Sequence, residues 1–153
     1  MVKKVLILAI FLVGAFIGGG LISQPAQAQR GTSYPNCGAI KGTGYFTVAQ
    51  TGSTRFPGSY YSTQRQGNSN SCVRNIQVAL NAVCSSGTRL VADAVYGSKT
   101  ARAVTNYQKY WASAPWYTRV NGRALGVDGI VGPQTWILLT TSYNEASVIN
   151  CAA

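Results

Sequence analysis

The sequence predicts a mainly α protein: a small three-helix module with a duplicated turn–helix unit, behind an irregular N-terminal extension pinned by a disulfide. Three observations predict it. An eight-residue pattern, an Asp, a Gly four positions on and a Thr three beyond that, occurs twice, as Asp93-Ala-Val-Tyr-Gly97-Ser-Lys-Thr100 and Asp128-Gly-Ile-Val-Gly132-Pro-Gln-Thr135. Each copy precedes a helix-like run, the mark of a repeated supersecondary unit. From Val73 onward the apolar residues take up helical spacing, and an even number of cysteines follows the first thirty residues.

Residues 1–28 read as a signal peptide. Lys3 and Lys4 form a basic region, Val5 to Ile22 is apolar, and Ala26-Gln27-Ala28 offers a small-residue cleavage site. The apolar stretch is close to the shortest bilayer span, so a retained anchor is the competing reading. The Gly18–Gly20 run, Pro25 and the Ala-x-Ala site favour cleavage, with no stable membrane span afterwards. A mature chain of 125 residues holds one modest core.

Residues 29–71 are rich in Gly, Ser, Thr, Asn, Tyr and Pro, with too little aliphatic surface for a core. They read as an irregular extension in which Tyr45 to Ala49 could form one strand. Residues 72–141 form the module. Val73, Ile76, Leu80 and Val83 line one face of a first helix that Asn70 or Ser71 can cap. A second helix starts at Ser98, with Ala101, Val104, Tyr107, Gln108 and Trp111 on or near its buried stripe. A Pro-containing loop over 112–125 leads to the second turn. Pro133 suits the first position of a third helix, with Trp136, Leu139 and Leu138 facing inward. Residues 142–153 form a weakly patterned tail.

Cys37, Cys72, Cys84 and Cys151 read as two disulfides, since an exported chain meets an oxidising compartment. No pair has C-x-x-C spacing and the chain has no His, so no metal site is expected. A helix from Val73 to Val83 holds Cys72 and Cys84 roughly 18 Å apart, beyond the ~7 Å a disulfide allows. Each must therefore reach Cys37 or Cys151, and both remaining schemes stay open.

The chain carries 13 basic residues against three acids, a net charge of +10. Such a surface attracts polyanions: nucleic acid, acidic lipid or an anionic cell wall. Export argues against intracellular nucleic acid, and the arginines are spread singly.

Val73-x-x-Ile76-Gln77-x-x-Leu80-Asn81, Asp93-x-x-Tyr96-Gly97-x-x-Thr100, Ala103-Val104-x-x-Tyr107-Gln108 and Leu125-Gly-Val-Asp128-Gly129-Ile130-Val131-Gly132-Pro133-Gln134-Thr135-Trp136 follow one another in order. This set resembles the three-helix peptidoglycan-binding module of bacterial cell-wall hydrolases, the peptidoglycan-binding domain 1 family. The resemblance covers a little over half of the mature chain. It implies a mainly α fold, a cell-wall location, and peptidoglycan, through its glycan or stem peptide, as partner. Two departures stand out. The family usually has Asp-Gly at the first turn, where this chain has Ala94; Ala tolerates positive φ poorly, so that turn is expected to be built differently. The stretch from Gln108 to Asp128 is also longer than usual and holds Trp111, Trp116, Tyr117, Arg119 and Arg123.

Asp93 and Asp128 could be paired for glycan cleavage, but each occupies the same place in a repeated turn, where a short carboxylate accepts backbone hydrogen bonds. We read Asp93, Gly97, Thr100, Asp128, Gly132, Thr135 and Trp136 as structural. No His is present to serve a Ser or Cys nucleophile, so no catalytic residue and no cofactor is assigned. Tyr107, Trp111, Trp116, Tyr117, Arg102 and Arg119 are the candidate ligand contacts: aromatic faces stack on sugars and arginines pair with carboxylates. The expected protein is a secreted or periplasmic, wall-associated monomer without enzymatic activity, with a cell-wall enzyme as a conceivable partner. The alternatives are a small secreted cationic effector or inhibitor using the module as a scaffold, and an accessory cell-wall hydrolase.

Overall fold

The computed structural model describes residues 34–48, 54–83, 86–114 and 118–141. A short 3-10 turn at Pro35–Cys37 leads into β1 (Gly42–Val48) and β2 (Thr54–Tyr60). Helices α1 (Ser71–Asn81) and α2 (Ser98–Ala112) follow, then a small hairpin of β3 (Thr118–Val120) and β4 (Arg123–Ala124), and finally α3 (Pro133–Thr140). The four strands form one antiparallel sheet in the order β2-β1-β3-β4.

The mainly α expectation is therefore wrong. Half of the segment expected to be irregular is a hairpin, and the loop expected over 112–125 supplies two more strands. In β1 the inward positions are Gly44, Phe46 and Val48, so glycine stands where an aliphatic residue would have signalled alternation. The physical reason lies in α3. A Cβ on Gly44 would collide with the Ile137 side chain, and one on its cross-strand partner Gly58 would lie 2.5 Å from the Ile137 carbonyl. The sheet accepts a helix at close range only because both positions are bare. The second hairpin turns on Asn121 and Gly122, both at positive φ (51° and 74°), the conformation a two-residue hairpin requires.

The helices lie near their expected positions. Asn70 caps α1 by accepting from the Val73 amide at 3.0 Å. Pro133 occupies the first turn of α3. That helix is apolar on most sides, with Trp136, Ile137 and Leu138 fully buried, because it is packed against the sheet as well as the rest of the core. Edge strand β2 has Pro57 without a donor, and the Thr140 hydroxyl both accepts from the Ser59 amide and donates to its carbonyl at 2.8 Å. Both devices discourage edge-to-edge pairing.

Cys37 is bonded to Cys72, fastening the 3-10 turn to the start of α1. Cys84 and Cys151 fall outside the described residues, as do the whole of 1–28 and 142–153. Among the described residues no helix is long and apolar enough to cross a membrane.

Candidate functional site

Both repeated turns are closed by a buried glutamine from the preceding helix. In the first, Gln77 of α1 sends its amide nitrogen to Asp93 Oδ1 (2.8 Å), the Val95 carbonyl (3.0 Å) and Thr100 Oγ1 (3.2 Å), while its Oε1 accepts from the Ala94 amide (3.0 Å). In the second, Gln108 of α2 donates to Asp128 Oδ1 (3.0 Å), the Ile130 carbonyl (2.9 Å) and Thr135 Oγ1 (3.0 Å). Its Oε1 accepts from the Asp128 and Gly129 amides (3.1 and 2.8 Å). Each aspartate also accepts from the amide two residues on, Val95 or Ile130, at 2.9 Å. In both turns a carboxylate, a threonine hydroxyl and backbone groups, two in the first and three in the second, converge on one amide.

Gly97 and Gly132 then precede α2 and α3 with nearly the same dihedrals, φ −85°, ψ −175° and φ −88°, ψ −173°. These values are extended backbone open to any residue. The conformation that does favour glycine lies one residue after each aspartate: Gly129 has φ 71° and Ala94 has φ 66°. The first turn is thus built like the second in spite of its alanine, contrary to the expectation from sequence.

The two turns are joined. Tyr96 donates its buried hydroxyl to the Gly129 carbonyl at 2.7 Å. Burial, and secondarily the charge of Asp128, push its phenol well above the usual tyrosine range, so it stays a donor. The segment 62–70 ties both turns further: Gln64 pairs through its backbone with Val131, and Gly67 and Asn68 with Tyr96. Hydrogen bonds from the Val95 amide and the Gln77 side chain hold the Asp93 carboxyl below its ordinary value in spite of an opposing desolvation effect. Each carboxylate closes its own bend.

Tyr107 and Trp111 do not reach a ligand surface. Their exposures are 0% and 1%, and the Phe46 ring of β1 sits edge-on to Trp111 at 5.4 Å. The helix face left open by the sequence reading is covered by the sheet that the reading missed. Burial likewise pushes the Tyr107 phenol well above its ordinary value. Trp136 is also core, edge-on to Tyr34 and Tyr61 at 5.2 Å each, with its indole nitrogen donating to the Ser62 carbonyl at 3.1 Å. Arg102 is exposed on α2. Arg119 is exposed on β3 and donates to the Gly122 carbonyl at 3.1 Å. Trp116 and Tyr117 lie outside the described residues.

An open groove of about 660 Å³ runs between the β3–β4 hairpin and the start of α3, lined by Val120, Asn121, Arg123, Ala124, Gly126, Pro133 and Gln134. The Gln134 amide bridges its walls by donating to the Ala124 carbonyl at 3.1 Å. Asn121 is fixed by two bonds at 2.9 Å, its amide donating to the Tyr45 carbonyl and its Oδ1 accepting from the Tyr45 amide. The groove offers one guanidinium, two amide side chains and a modest apolar floor, suited to binding and without an acid–base pair. In the sequence Arg123 belongs to the long Gln108–Asp128 stretch and Gln134 to the second turn motif, and the Asn121-Gly122 dipeptide is the signal for the hairpin that brings them together. Among the described residues no three metal-ligating side chains converge.

The solved structure of a peptidoglycan-binding protein from Clostridioides difficile, in complex with glutamine hydroxamate, is similar to this chain at 25% identity and a TM-score of 0.43. The match covers 69% of this chain and 61% of that one, so the chain spans less than two thirds of that protein's length. A superposition this loose transfers no residue roles. No family model matches the chain, and neither does any curated protein.

Proposed function

We propose that this is an exported, non-catalytic protein that binds bacterial peptidoglycan in the groove between the β3–β4 hairpin and the start of α3. The composition of that groove carries the reading. Gly126, Pro133 and Gln134 come from the stretch Leu125 to Trp136, where the resemblance to peptidoglycan-binding modules is strongest, while Val120, Asn121, Arg123 and Ala124 come from the long stretch between Gln108 and Asp128. The clasps of Gln77 and Gln108 act as a frame that holds the groove walls. Arg123 at the groove would meet a stem-peptide carboxylate, and the amides of Asn121 and Gln134 would meet the peptide or acetamido groups. The leader-like residues 1–28 support export. The lack of His, together with the engagement of Asp93 and Asp128 in turns, supports a binding role.

The test is co-sedimentation with purified sacculi stripped of attached polymers. Retention at moderate salt is expected, and Arg123→Ala should weaken it about fivefold, the weight of one exposed charged contact. Protein left in the supernatant would remove the wall-binding reading and favour the cationic effector, and release of soluble fragments would make the protein a hydrolase.

A further inference from the structure

We infer that the outward face of the sheet is a second binding surface, one that takes a wall polymer of repeating polyol phosphate across Arg55 and Arg119. The placement in a wall rests on the function proposed above; the chemistry rests on the face itself. Register puts Arg55 of β2, Thr47 of β1 and Arg119 of β3 in one row. Two strand spacings separate the arginines, about 10 Å between Cα atoms. Both are exposed. The four strands contain no Asp or Glu, and of the chain's three acids Asp93 and Asp128 are held in their turns.

The arginines are positioned. The Arg55 guanidinium lies over the Tyr45 ring, 4.4 Å from its centroid. That contact holds the guanidinium at the ring while the residue stays exposed. Arg119 is steadied by donating to the Gly122 carbonyl at 3.1 Å while it stays exposed. Among the described residues, Thr43, Pro57 and Ala124 are also exposed on this face, and none of them adds a charge that would hold a small anion. Single charged contacts in water hold little, so an isolated phosphate would escape. A chain with a phosphate in every repeat engages both guanidinium groups together and gains by multivalency. Single-stranded nucleic acid would also supply phosphates, but it binds through bases stacked on open aromatic rings. Tyr45, the aromatic residue on this face among those described, is already covered by Arg55.

Binding of the full chain to purified poly(glycerol phosphate) tests the inference. Wild type should bind at low salt and release as salt rises. Arg55→Gln/Arg119→Gln should bind about tenfold more weakly, with an unchanged thermal midpoint, and Arg55→Lys/Arg119→Lys should recover most of the loss. Equal binding by the glutamine variant overturns the inference. So does an equal loss in Arg65→Gln/Arg74→Gln, which would reduce the effect to net charge. Preference for single-stranded DNA of matched phosphate number over the polymer also overturns it. Polymer binding without sedimentation on stripped sacculi supports the sheet face while refuting the groove; sedimentation without polymer binding does the reverse.

Discussion

Ala94 and Gly129 occupy the same position in the two turns and share a left-handed backbone, φ 66° and 71°. In each case the amide of that residue donates to the glutamine Oε1 of the clasp, Gln77 or Gln108. The clasp therefore dictates the dihedral, and at position 94 the chain adopts it at the cost of side-chain strain, roughly 1–2 kcal/mol for an L-residue.

Replacing Ala94 by Gly relieves that strain while adding freedom to the unfolded chain, and should stabilise the protein by about 0.5–1 kcal/mol. The reverse change at the second turn should do the opposite and more. A Cβ on Gly129 would lie 2.8 Å from Thr105 Oγ1 and 3.3 Å from the Ala101 carbonyl, so crowding is added to strain. Gly129→Ala should cost about 2–3 kcal/mol. Urea unfolding of the two single variants checks both signs, and a gain from Gly129→Ala would contradict the shared geometry.

Gln108 is 1% exposed and makes five hydrogen bonds to its turn. Truncation to Ala leaves the Asp128 and Gly129 amides without their acceptor and should cost roughly 2–4 kcal/mol. Gln108→Glu preserves the volume but sets an oxygen against the Asp128 carboxylate and the Ile130 carbonyl. It should be the worse of the two at neutral pH, a ranking that thermal unfolding can read. If Glu were the better tolerated, the donor role of the side-chain nitrogen would be mistaken.

The same contrast explains what could be read from the sequence. The helices announce themselves through apolar spacing, and the turns through an Asp-Gly-Thr pattern whose partner glutamines fall within recognisable helix motifs. The sheet stays hidden because its inward positions include Gly44 and Gly58, chosen for contact with Ile137 and silent in hydropathy. Without the sheet in view, the helix face of Tyr107 and Trp111 fits either core or ligand contact, and Phe46 against Trp111 decides for core. The groove was half legible: its α3 wall belongs to the strongest motif, whereas the opposite wall depends on Asn121 and Gly122 being read as a turn. The pairing of Arg55 with Tyr45 depends on strand register, which composition does not carry.

Acid should loosen the first turn through Asp93. Its folded pKa lies below the ordinary aspartate value of 3.8, chiefly through the Val95 amide and then Gln77. A depressed carboxyl pKa means that the ionised form favours folding. The contribution is present above the unfolded value and is lost as pH falls through the lower, folded one. Asp93→Asn keeps an oxygen to accept from Val95 and Gln77 but has no proton to gain. The urea midpoint of wild type should therefore fall more steeply than that of the variant below pH 3.8. Parallel curves in that window would show that the carboxylate charge does not contribute.

The Cys37–Cys72 bond closes a loop with a sequence separation of 35 and contains the whole β1–β2 hairpin. Reduction releases the 3-10 turn from α1 and restores entropy to the unfolded chain, worth about 3–4 kcal/mol for a loop of this size. Around that bond Tyr34 keeps contacts of its own: the Tyr61 hydroxyl accepts from its amide at 2.9 Å, its hydroxyl donates to the Leu139 carbonyl at 3.2 Å, and its ring lies edge-on to Trp136. Cys37→Ser/Cys72→Ser should therefore lower stability by that amount while leaving the helices of the clasps formed. Hydrogen exchange gives the distinction: the amides of residues 34 and 37 should lose protection first, and the turn amides of Val95 and Ile130 should stay protected until global unfolding. Simultaneous loss at both places would mean that the disulfide supports the twin turns directly and does more than anchor the hairpin's leading end.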